Sequence, residues 1–431
     1  MTMRSKRYEN IGETLYFETL ENGLQIRVLP RPGYQKSMAL LAVHYGAADR
    51  RFQAGGQWVD SPAGVAHFLE HKMFDLPDGG NAEALLNAHG AEGNAFTGAG
   101  VTAYHFSCTE DFEACLRILL GYVSAPYFTP ESVQKEQGII GQEFQMYEDD
   151  PDHRLYYGLM GCLFSHHPIR ENIVGSIESI AQITDKTLYD CHKVFYNPSN
   201  MALCVMGDTE PEKIAEIARE ILPTAPGEVP KRDYGSAEPP CPEQKRIERV
   251  MEVSAPLFAF GARYFPAADT LKERLTAELS MDCLTARSSP FYTRLYAEGL
   301  LNTNFSAFAD FSAGTAALMC MGESQNPDAV LDTFCEAARR AGTDGFDPAL
   351  FERVRRAFYG ERLRNLGSFQ SSCAGLAEGC FHGFEPLEGF AVLGCVTNDD
   401  VRNFIRQKLS PENLAISIVY PNTQEAENWH G

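Results

Sequence analysis

The chain has 431 residues, 44% of them hydrophobic and 22% charged, with a formal net charge of −21. That length exceeds one comfortable core and predicts two or three domains, and the acidic balance excludes nucleic-acid binding, which needs basic patches. No apolar run reaches the ~18–20 residues of a membrane span, and Met1-Thr-Met-Arg-Ser-Lys-Arg lacks the apolar segment of a signal peptide, so a cytosolic protein with no membrane role is expected.

In chain order, Glu21-Asn-Gly-Leu24 predicts a tight hairpin between strands at 15–19 and 24–29. Residues 38–45 read as a buried strand, 64–74 as a helix, 101–107 as a strand and 131–148 as a helix. Residues 183–203 then find an echo at 396–416, an offset of 213. Thr184 matches Thr397, Pro198 matches Pro411, Asn200 matches Asn413 and Ala202 matches Ala415. Each copy reads as a helix N-cap, a helix, a Pro turn and a strand. A repeat of half the chain implies two domains of one α+β fold in tandem. Six prolines between Pro223 and Pro242 mark the connector, giving domains at 1–222 and 243–431 with a linker at 223–242. The twelve cysteines are scattered with no Cys-x-x-Cys pair, as expected of reduced, buried thiols.

The chemistry is concentrated in Gly64-Val-Ala-His67-Phe-Leu-Glu70-His71-Lys-Met-Phe74. Residues four apart on a helix share a face, so His67 and His71 can hold one Zn²⁺. Glu70 lies beside that face, in reach of a water without being consumed as a ligand, and reads as a general base. Eleven histidines and 58 acidic residues would give such a pattern by chance about 0.04 times in this length. A catalytic zinc needs a third protein ligand. Glu136 and Glu143 are seven apart in Glu136-Gln-Gly-Ile-Ile-Gly-Gln-Glu143, on one helical face, with Ile139 and Ile140 expected to draw that face inward. Carboxylates so placed need a cation or a proton. His89, His105 and His166-His167 read as loop, strand and turn residues, and Phe305 to Phe311 as strand core.

The chain resembles the pitrilysin-like, inverted-zincin metallopeptidases, in the half-length bacterial, YmfH-like branch. The resemblance is carried by His67-Phe-Leu-Glu-His-Lys-Met-Phe74, Gly93-Asn-Ala-Phe-Thr97, Pro126-Tyr-Phe-Thr129, the Glu136 to Glu143 helix, His167-Pro-Ile-Arg170 and Tyr196-Asn-Pro-Ser-Asn-Met201. It implies two domains, each a mainly antiparallel sheet packed with helices, together forming half of a clam-shell chamber. It implies Glu143 as the third zinc ligand, Glu136 as a supporting catalytic residue, and Asn94, Ala95, Phe96 and Thr97 as a strand that pairs with a peptide substrate. One zinc per chain and hydrolysis of unfolded peptides follow from the resemblance. A maturation or modification-associated peptidase, or a non-catalytic assembly subunit, remain the alternatives. Family members carry an Arg and a Tyr seven apart in a second domain, where this chain has Leu295 and Asn302, with Arg294 and Tyr296 out of register. That departure implies a related partner subunit in a heterodimer, or otherwise a homodimer; the alternative is that the nearby Arg294 or Tyr296 takes the role through a shifted loop.

Overall fold

The computed structural model describes residues 3–422. They form two compact units, the first from Met1–Phe144, Asn172–Tyr234 and Leu363–Glu388, the second from Gln145–Glu171, Gly235–Arg362 and the chain from Gly389 on.

The first unit is built on a seven-stranded sheet. Its strands run, edge to edge, Arg4–Tyr8, Glu13–Thr19, Gln25–Pro30, Met201–Gly207, Ser37–Val43, Thr102–Cys108 and Glu92–Thr97. All pairings are antiparallel except Gln25–Pro30 against Met201–Gly207. The expected hairpin is present, with Gly23 in the left-handed conformation its turn requires and Tyr16 opposite Val28. Strand Ser37–Val43, apolar except for Ser37, is buried at every position, as a strand covered on both faces must be.

The second unit repeats the central part of this plan. Its five strands run Arg246–Met251, Leu414–Pro421, Leu257–Tyr264, Thr315–Glu323 and Ser306–Ser312, and again only one pair, Arg246–Met251 with Leu414–Pro421, is parallel. The sequence repeat is the local signature of this shared topology. Thr184 and Thr397 each close a capping box, on helices Asp185–Phe195 and Asn398–Lys408. Short 3₁₀ turns at Pro198–Asn200 and Pro411–Asn413 then lead into the parallel-paired strands. The fold is thus α+β, with two homologous domains of helices packed on open, mainly antiparallel sheets.

Each sheet is also covered by a helix from the other half of the chain. Phe369–His382 packs on Met201–Gly207 and Ser37–Val43, and Pro151–Leu163 packs on Leu414–Pro421 and Leu257–Tyr264. The apolar face of an open sheet must be buried, and here long-range exchange supplies the cover, so the compact units do not coincide with the halves of the sequence. Residues 223–242 are coil apart from Arg232–Asp233, which pairs with Arg51 and Phe52. All twelve cysteines are free and only Cys395 is exposed. Among the described residues no helix is long and apolar enough to cross a membrane.

Candidate metal centre

Helix Val65–Lys72 carries both histidines of the motif. It begins at Gly64, whose φ of 91° is left-handed. A β-carbon there would lie 2.4 Å from the Val174 carbonyl oxygen, so only glycine lets the chain turn into this helix against the 172–176 loop. Val65, Ala66, Phe68 and Leu69 are buried, anchoring one side of the helix and presenting His67, Glu70 and His71 on the other. Helix Pro130–Asp149 brings the carboxylates. Its Val133 and Ile140 are buried and fix its rotation. Ile139, expected to share that role, is 45% exposed; it lies on the opposite flank of the face from Ile140, where one turn of 3.6 residues points it outward.

The two helices meet at Glu143. Its Oε1 lies 3.5 Å from His67 Nε2 and its Oε2 lies 3.5 Å from His71 Nε2. One ligand atom from each of the three residues falls within 4.8 Å of the others. A distance of 3.5 Å is long for a hydrogen bond but close to the ~3.3 Å that separates two ligands of a tetrahedral zinc with ~2.0–2.1 Å bonds. His67 is 7% exposed, and its Nδ1 is buried with no hydrogen-bond partner among the described residues. Burying that nitrogen without a partner costs free energy; Nε2, on the other side of the ring, is the atom that faces Glu143 and that an ion at the shared focus of the three side chains would take. The donor set, two imidazole nitrogens and one carboxylate, is that of an open catalytic zinc site, and these residues fit that metal.

Glu136 sits on the other side of the His71 ring, 3.1 Å from Nδ1. It also lies 3.6 Å from Lys72 Nζ. Burial favours a neutral His71, but the Glu136 hydrogen bond and the charges of Glu143, Glu136 and Glu70 outweigh it and raise the imidazole above its usual pKa. Burial likewise opposes the charge on Glu136, yet its bonds to His71 and Lys72 hold the carboxyl below its usual range. Lys72 itself is 2% exposed and pairs with Asp75. Sequence reasoning passed over Lys72. The available signal was a lysine between the second histidine and the apolar Met73-Phe74, with Asp75 three residues on, a place where a buried cation needs carboxylates.

Glu70 is reached from a third element. Strand Glu92–Thr97 forms an edge of the sheet, and Thr97 Oγ1 donates to Glu70 Oε2 at 2.6 Å. Of the other residues in this stretch, Asn94 is exposed, its side chain accepting from the Ala95 amide, and Phe96 leans on the His105 ring. Away from this centre, His89 pairs with Asp111, and His167 caps the turn Pro168–Arg170. Phe308 lies 38% exposed on edge strand Ser306–Ser312, whose Phe311 packs against the core. In the second unit Leu295 is fully buried in the core, while Arg294 is exposed and paired with Glu298 and Tyr296 is 53% exposed. The Asn302 carbonyl accepts from Tyr292 Oη.

Fold and site together define a protein made of two copies of one α+β domain, with a His-His-Glu cluster in the first copy. Residues 55–176 match the insulinase family, peptidase family M16, and residues 182–358 match the family's domain described as the peptidase M16 inactive domain. The chain is 35% identical over 428 residues, 96% of its own length and 99% of the relative's, to the uncharacterized zinc protease YmfH of Bacillus subtilis. A solved structure described as an M16-like peptidase from Alicyclobacillus acidocaldarius superposes with a TM-score of 0.90 at 31% identity, covering 95% of this chain and 99% of that one. A protease from Helicobacter pylori shares the fold, with a TM-score of 0.80 at 17% identity over 94% of this chain and 99% of that one. The chain belongs to peptidase family M16.

Proposed function

We propose that the chain is a zinc-dependent endopeptidase for unfolded peptides, with His67, His71 and Glu143 holding the metal and Glu70 as general base. The observation that carries this reading is the convergence of one ligand atom from each of the three residues within 4.8 Å, beside a carboxylate that is not itself part of the cluster. A zinc ion bound there supplies Lewis acidity to a peptide carbonyl and acidifies a water.

The protein's own groups do the rest. With Nε2 of His71 turned to the metal side, Nδ1 keeps its proton and donates to Glu136, which fixes the tautomer and the ring plane. Glu70 engages Thr97 through Oε2 and keeps its second oxygen to take a proton from water and pass it to the leaving amine. The strand Glu92–Thr97, open along one side, offers main-chain groups to an extended peptide, which would run toward Glu70. The test is a pair of variants on zinc-loaded protein. Glu70→Gln should keep about one zinc and lose hydrolysis of an unstructured peptide, and His71→Ala should lose both. Zinc loss in Glu70→Gln would remove the assignment.

A second reading concerns the partner. Leu295 is a core residue and Asn302 offers its carbonyl to Tyr292, so neither supplies the Arg and Tyr that family members carry. A related subunit that carries that pair would complete the site in a heterodimer; a homodimer would bring only a second Leu295 and Asn302. A pathway-specific maturation peptidase would use the same residues, and identification of co-purifying proteins and trapped peptides by mass spectrometry separates it from general peptide turnover.

A further inference from the structure

We infer that Thr97 is a positioning residue for the general base: its hydroxyl clamps the Glu70 carboxylate and ties it to the end of the edge strand. The inference rests on the proposed role of Glu70 and adds to it the device that holds the carboxylate.

The direction of the hydrogen bond follows from which groups can donate and from the two distances. Thr97 Oγ1 has two polar neighbours, Glu70 Oε2 at 2.6 Å and Thr102 Oγ1 at 3.4 Å. Thr102 is fully buried and spends its proton on the Tyr45 carbonyl at 2.9 Å. Thr102 can then only accept from Thr97, and a carboxylate oxygen likewise only accepts, so the Thr97 hydroxyl is the donor, and the much shorter contact directs its proton to Glu70. A separation of 2.6 Å lies in the range of a charge-assisted hydroxyl–carboxylate bond, about 2.5–2.7 Å. Threonine suits the task because its β-branch restricts χ1.

The mount is rigid. Thr97 is the last residue of its strand and pairs directly with Thr102. The turn between them is closed by Gly98 N–H to the Val101 carbonyl at 2.7 Å. That turn is fastened in its own right to the loop after strand Ser37–Val43, where the Ala47 and Ala48 amides donate to the Gly98 and Ala99 carbonyls at 3.0 and 2.8 Å. Glu70 thus takes its orientation from the sheet as well as from its own helix. A peptide paired along Glu92–Thr97 would be registered against the same residue that orients the base.

This role is separable from peptide binding. Strand pairing uses main-chain groups, so a change of the Thr97 side chain alone leaves them in place. Thr97→Val keeps the shape and the β-branch and removes only the hydroxyl. On zinc-loaded full chain, with a related partner subunit present where turnover depends on one, Thr97→Val should lower kcat by about 10–100-fold. KM should stay within about threefold and zinc content should be unchanged. Thr97→Ser should restore most of kcat. In a Glu70→Gln background Thr97→Val should change the residual rate no further. Independently of turnover, Thr97→Val and Glu70→Ala should shift the thermal midpoint non-additively, since both remove one bond.

Unchanged kcat in Thr97→Val with Glu70→Gln inactive overturns the role of Thr97 and leaves the base assignment standing. A fully active Glu70→Gln removes the base assignment itself. A rise in KM alone, a Thr97→Ser variant no better than Thr97→Val, or additive midpoint shifts would each reduce Thr97 to a strand residue.

Discussion

Glu136 and Glu143 lie seven residues apart on one helix, and replacing either with Gln removes the same charge and almost no volume. Geometry alone distinguishes the two variants. Each Glu143 oxygen is 3.5 Å from the Nε2 of a different histidine, so Glu143→Gln exchanges an anionic ligand for a neutral amide and leaves two imidazoles. Glu136 faces His71 Nδ1 at 3.1 Å and Lys72 at 3.6 Å, and a glutamine there still offers an acceptor oxygen to the ring N–H. Groups that orient a metal-binding histidine in this way are worth about 10–100-fold in affinity, which is about 1.4–2.7 kcal/mol. Glu136→Gln should fall in that window and Glu143→Gln should exceed it. The assay is zinc competition against a chromophoric chelator, with total metal measured after dialysis. Equal losses in the two variants, or a larger loss at Glu136, would refute the assignment of ligand and supporting residue.

Removing the base should separate chemistry from metal binding: Glu70→Gln is expected to lose about 10²–10⁴-fold in kcat while metal analysis still finds the zinc. Zinc binding should weaken early on acidification. The His71 pKa is raised above 6.5 in the metal-free protein, so protons compete with zinc as pH falls toward that raised value, and affinity that stays flat from pH 8 to 6 would contradict it. Gly64→Ala should lower the unfolding free energy by about 1–3 kcal/mol from its left-handed backbone alone, with more from the contact with Val174, read as a fall in thermal midpoint. If a related subunit supplies an oxyanion donor, adding it should raise kcat by roughly 10²–10³-fold; full activity of the isolated chain, unchanged by any such subunit, would end that reading.

Local grammar carried much of this protein. The hairpin at Asn22-Gly23 and the helix of His67 and His71 follow from short-range rules of turn geometry and helical spacing, as do the helix N-caps at Thr184 and Thr397. The repeat across 213 residues announced two copies of one fold because both copies need the same cap, helix, turn and parallel-paired strand. The pairing of Glu136 and Glu143 on one face was likewise a matter of periodicity. What those two carboxylates touch was not. Glu143 lies between two imidazoles and Glu136 behind one of them, because the packing of Val133 and Ile140 sets the rotation of their helix. That rotation depends on contacts far away in the sequence. The same holds for the exposure of Ile139, the burial of Lys72 between Asp75 and Glu136, and the hydroxyl of Thr97 on Glu70. The exchange of helices Pro151–Leu163 and Phe369–His382 between the halves of the chain is the largest such case. Hydrophobic periodicity says that a helix has an apolar face; it does not say which sheet that face will cover, since burial is non-directional and only the assembled fold selects the partner.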